Sequence, residues 1–119
     1  MRTITIHHGS ELNQKLAITA DEKAEGGASH KYTIGPKDST EVMATISFQK
    51  GAMKDVGFNG ISDEALLSIV IDRLRGFQSG PFSCRENALA LTNIEQGLLW
   101  LNARTRDRMD RGVEGKAIA

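Results

Sequence analysis

Two periodicities divide the chain. From Arg2 to about Phe58 the apolar residues recur every second position in short runs, the spacing of half-buried strands. Thr3-Ile4-Thr5-Ile6 alternates, and so does the stretch from Val42 to Phe48, where Val42, Ala44, Ile46 and Phe48 would share one face. Leu16-Ala17-Ile18-Thr19 and Tyr32-Thr33-Ile34 are further candidates with a weaker pattern. Turn and loop signals separate them: Gly9-Ser10, the polar run Asp21 to Ser29, Gly35-Pro36 and Gly51. Consecutive strands with short connections predict an antiparallel sheet of four strands.

The second half follows a helical period. Ser62-Asp63-Glu64 offers a cap and two acids near the positive end of a helix dipole, and Leu66, Ile69, Val70, Leu74 and Phe77 follow at helical spacing. Gly76, Gly80 and Pro81 close this segment. Ser83-Cys84-Arg85-Glu86 has the spacing of a capping box, which starts a second helix carrying Leu91, Ile94, Leu98 and Leu101. That helix is expected to run to Arg111, before Gly112. About 28 residues of helix would span roughly 40 Å, longer than so small a globule is wide, so it needs something to pack against. The expected fold is α+β in a single domain over 1–119: a sheet over 1–60, a helical hairpin over 61–112 and a tail over 113–119, frayed from Gly115 to Ala119.

Composition sets the outer bounds. At 119 residues the chain has the length of one domain, with a thin core in which four Phe, one Tyr and one Trp are expected to be the anchors. Fifteen Lys and Arg balance fifteen Asp and Glu, so no bulk positive charge draws it to duplex nucleic acid. The lone Cys84 precludes an internal disulfide and a cysteine-built metal site. No apolar run has membrane-spanning length, and Met1-Arg2-Thr3 leads directly into alternation, so a soluble intracellular protein is expected.

Chemistry-bearing residues are few. His7 and His8 are adjacent on a predicted strand, where they would point to opposite faces, and His30 falls in a loop, so no metal set is expected. Cys84 lacks a base and an oxyanion site beside it, and a small packed residue is the expectation there. Gly112-Val113-Glu114-Gly115-Lys116 lacks the glycine spacing of a phosphate loop and follows a helix, so a helix-ending turn is expected. The one concentrated signal is Arg104, Arg106, Arg108 and Arg111 against Asp107 and Asp110. Arg104 and Arg108, four apart, would project from one helical face and suit a pair of phosphates, with Trp100 a turn earlier. A solvated helix end paired to Asp107 and Asp110 has the same spacing.

From Gly57 to Gly115 a set of motifs carries a family resemblance: Phe58-Asn59-Gly60-Ile61, Ile71-Asp72-Arg73-Leu74, Gly76-Phe77-Gln78, Arg85 to Leu91, Leu99-Trp100-Leu101, Arg104-Thr105 and Arg111 to Gly115. This half of the chain resembles the Thoeris anti-defence nucleotide sponges of bacteriophages, and its hairpin is similar to that of the anti-CBASS sponges. The resemblance implies a non-enzymatic, cofactor-free protein in the cytoplasm of an infected bacterium. It would sequester cyclic nucleotide messengers, chiefly glycocyclic ADP-ribose and in some members cyclic di- or trinucleotides, as a hexamer assembled from dimers. The family's ligand contacts fall on Phe77, Asn87, Arg104 and Arg108, with Trp100, Arg85 and Arg111 as further candidates. Gly97 departs from the alanine that the resemblance implies. The competing reading is a helical oligomerisation or nucleic-acid interaction module.

Overall fold

Alternation in the first half produces a sheet. In the computed structural model, which describes residues 1–119, four antiparallel strands lie in the order β1 (Arg2–Ile4), β2 (Leu16–Ala20), β3 (Lys31–Pro36) and β4 (Ala44–Ser47). Every strand pairs with its neighbour in sequence: Thr3 faces Thr19, Ile18 faces Ile34, and Tyr32 faces Ile46. The expected α+β class and the four-stranded antiparallel sheet are therefore both present.

The edges of the sheet differ from the expectation. β1 stops at Ile4, and the His8 amide donates to the Thr5 carbonyl at 3.1 Å, closing a turn. His7 and His8 thus do not take opposite faces of a strand. Their rings meet edge-on with centroids 4.4 Å apart, and His7 Nε2 donates to the Leu16 carbonyl at 2.9 Å. β4 begins only at Ala44, so Val42 is exposed rather than sharing a packed face with Ile46 and Phe48. Phe48 instead bridges Ile61 in parallel, an approach that requires Gly60: a Cβ there would collide with the Phe48 carbonyl. Two single-turn helices, α1 (Glu11–Gln14) and α2 (Met53–Val56), fill loops that carry no helical period. Ser10 Oγ caps α1 by accepting from the Asn13 amide, and Gly57, at φ 82°, ends α2.

The chain divides into two compact units, Met1–Ile61 and Ser62–Ala119. The second is the hairpin of α3 (Asp63–Gln78) and α4 (Arg85–Asp110). Ser62 caps α3 as expected, its Oγ accepting from the Ala65 amide at 3.1 Å. The capping box at Ser83 does not form. The Gln78 side chain pairs with both backbone groups of Cys84, at 3.1 Å each, and holds that residue extended. The helix therefore starts one residue later, with Cys84 Sγ accepting from the Asn87 amide at 3.4 Å. Cys84 is an exposed cap and not a packed residue. At the other end Gly112 takes φ 71°, its amide donates to the Met109 carbonyl, and the Val113 amide donates to the Arg108 carbonyl at 2.9 Å. This is the paired-amide termination that a left-handed glycine permits.

The core is thinner than composition suggested, and the aromatics do not anchor it. Only Ala20 and Ile71 are buried hydrophobics, whereas Phe58, Phe82 and Trp100 are each more than 70% exposed. Tyr32 and Phe48 form the one aromatic pair among Phe, Tyr and Trp, edge-to-face at 5.7 Å in the sheet unit. On α3 the covered side is Leu66, Leu67, Ile71 and Leu74, whereas Ile69, Val70 and Phe77 are exposed and do not belong to the packed face. On α4 the expected seam of Leu91, Ile94, Leu98 and Leu101 is covered.

Candidate functional site

The side chains singled out on the hairpin fall into two groups. Phe77 is the penultimate residue of α3, and Asn87 lies in the first turn of α4, so the Gln78–Cys84 closure holds both at the turn end. Asn87 is half-buried and Phe77 is 37% exposed. The guanidinium carbon of Arg73, one helical turn before Phe77, lies 5.1 Å from the centre of its ring, within cation–π range. Sequence reading missed Arg73 as a contact of Phe77, although its spacing of four signalled it. Arg85 opens α4 and is exposed.

Arg104, Arg108 and Arg111 occupy the open end. Arg104 is exposed and makes no ion pair. Arg108, at three- and four-residue spacing from Leu98, Leu101 and Thr105, is 9% exposed, because the segment after Gly112 folds back over it. Its guanidinium donates to the carbonyls of Val113 at 3.1 Å, Lys116 at 2.7 Å and Ile118. The two arginines therefore do not project together, and the segment after Gly112 is tied down rather than frayed. Arg111 donates to Asp107 at 3.0 Å and to the Ala119 carbonyl at 2.9 Å. This ion pair matches the solvated-helix-end reading for Arg111 alone.

Between the two groups, two open grooves run along the helices. One, of about 690 Å³, lies between α3 and α4 over Ile71 and Leu98, crossed by Arg75 and Glu95, whose closest approach is 2.6 Å. None of Phe77, Asn87, Arg104 and Arg108 lines it. The other, about 460 Å³, is formed by Gln96, Leu99, Trp100 and Ala103, with Trp100 77% exposed. Gly97 faces open space: a Cβ there would meet nothing within 4 Å, so it serves no close crossing of α3 over α4. No three His, Cys, Asp or Glu side chains group as metal ligands. No helix is long and apolar enough to cross a membrane.

These features define a small α+β protein whose second unit is a capped helical hairpin with separated aromatic-amide and guanidinium ends. Residues 30–106 match the family model described as "Acb2/Tad1, hairpin domain", and the chain belongs to that family. The match begins before β3 and so takes in the last two strands, well upstream of the motifs that start at Gly57. It stops two residues short of Arg108. The chain is also 49% identical over 90 residues to a protein of Bacillus phage SBSphiJ7 named Thoeris anti-defense 1. The aligned residues are 76% of this chain and 62% of that protein's length.

Proposed function

We propose that this chain is a phage anti-defence protein that binds and sequesters a cyclic nucleotide immune messenger in the cytoplasm of the infected host, without cleaving it. Glycocyclic ADP-ribose is the principal ligand, and cyclic di- or trinucleotides are further candidates. Family membership and the name of the SBSphiJ7 relative support the anti-defence role. The side chains support the chemistry. Phe77 offers a face for adenine, Asn87 can exchange two hydrogen bonds with a base edge, and guanidinium groups grip phosphate oxygens bidentately. A phenyl ring, a carboxamide and a guanidinium do not exchange protons near neutral pH, so these groups hold a ligand without turning it over.

The observation that carries this reading is the separation along α4. Asn87 and Arg104 lie 17 positions apart on one uninterrupted helix, a rise of about 25 Å. A dinucleotide-sized ligand cannot touch both in one chain. Two hairpins packed antiparallel about a two-fold axis would bring the turn end of each to the open end of the other, giving two equivalent sites. The exposed Leu89, Leu99 and Trp100 on α4 supply apolar surface for such a dimer, and dimers of this kind would assemble into hexamers.

The test is chemical. Titration with glycocyclic ADP-ribose should give nanomolar binding, about 12 kcal/mol. Chromatography of the heated complex should return the ligand intact. Stoichiometric recovery of a linear product would overturn the reading.

A further inference from the structure

Arg73 stands on an unusual stretch of α3. Its neighbours one turn away on the helix are Ile69, Val70, Gly76 and Phe77, so no acid occupies a position from which it could pair along the helix. Ile69 and Val70 are exposed, which leaves a single guanidinium in an otherwise apolar stripe. Arg75, two positions on, pairs with Glu95, whereas Arg73, like Arg85 at the start of α4, makes neither an ion pair nor a side-chain hydrogen bond. Its one contact of note is the stack over Phe77.

A guanidinium held over a ring by cation–π attraction keeps its N–H donors free for another partner, and the contact narrows the arrangements open to both side chains. Rigid aromatic platforms gain affinity chiefly because less freedom is lost on binding. We infer that Arg73 is a further ligand-binding residue: it covers one face of Phe77, leaves the opposite face for a base, and sets a positive charge beside it that favours a phosphorylated nucleotide over a neutral nucleoside. The inference rests on Phe77 being the base platform proposed above.

The experiment compares Arg73→Gln, Arg73→Lys and Phe77→Ala in the full chain by calorimetric titration with glycocyclic ADP-ribose and with adenosine at two salt concentrations. Arg73→Gln should bind glycocyclic ADP-ribose at least fivefold more weakly, with a flatter salt dependence and an unchanged unfolding midpoint. Its adenosine binding should change less. Arg73→Lys should recover part of the loss, since it restores the charge with a poorer stack. Wild-type affinity in Arg73→Gln beside a large loss in Phe77→Ala would overturn the inference and leave the platform standing. Wild-type affinity in Phe77→Ala would overturn the platform itself, and the role given to Arg73 with it.

Discussion

Arg104 and Arg108 are one turn apart on α4, yet one guanidinium is in solvent and the other is clasped by three carbonyls of the chain's last residues. A spacing of four places two side chains on neighbouring sites of a helix but not in one environment. The seam through Leu98, Leu101 and Thr105 passes under Arg108 and leaves Arg104 at its margin. In the proposed site, Arg104 is a phosphate contact ready in the single chain, whereas Arg108 must exchange carbonyl partners for phosphate oxygens.

Replacing Arg104 by alanine should leave folding unchanged and weaken messenger binding by about 2 kcal/mol or more, roughly thirtyfold. Calorimetry beside a thermal melt reads both quantities. Unchanged titration curves in a well-folded Arg104→Ala protein would remove Arg104 from the site.

The same change at Arg108 should act on stability as well. It deletes three charge-assisted hydrogen bonds, so Tm should fall, and the tail after Gly112 should become open to protease. Limited proteolysis resolves this, with cleavage between Val113 and Ala119 expected in Arg108→Ala and suppressed in the parent. A chain lacking residues 114–119 should lose two of the three carbonyl partners of the guanidinium, those of Lys116 and Ile118, and bind the messenger more tightly. Weaker binding by that truncation would mean that the tail positions Arg108 for the ligand instead of competing with it.

Cys84 should behave as a cap rather than a nucleophile. Serine is a better cap than cysteine, so Cys84→Ser is expected to hold or slightly raise Tm, while Cys84→Ala should lower stability by about 1 kcal/mol. Denaturant melts distinguish these outcomes, and equal midpoints for Ser and Ala would show that the sulfur contact contributes nothing.

Gly97 offers a probe of what covers α4. Because a Cβ there meets open space within the chain, Gly97→Ala should raise helix stability by about 1 kcal/mol. A loss of stability or of assembly, measured by melts and sedimentation, would mean that another chain's backbone packs against that glycine.

The parts of this fold that local physics dictates were legible in the sequence. Period-two alternation marked the regions of β1 and β4, short apolar runs between turn signals marked β2 and β3, Ser62 marked the start of α3, and Gly112 marked the end of α4. Errors arose where a distant partner decides. Ser83 had the right spacing for a capping box, but the Gln78 side chain claimed Cys84 and moved the helix start. The burial of Arg108 depends on where the chain goes after Gly112, which no helical wheel contains. Ile69 and Val70 carry a sound helical period, yet they lie outside the face that α3 packs onto α4. For the site, the motifs supplied residue types, while their division between two ends of the hairpin emerged only with the helices in place.

The central claim, a site shared between two chains, is tested by co-expressing Asn87→Ala and Arg104→Ala chains with different tags and titrating the purified mixed dimer with glycocyclic ADP-ribose. Each parent homodimer has two damaged sites. The mixed dimer has one site in which both residues are native and one in which both are lost. Shared sites predict a single tight site per mixed dimer, close to the native affinity. Two weak sites and no tight one would mean that Asn87 and Arg104 do not meet on the same ligand from different chains.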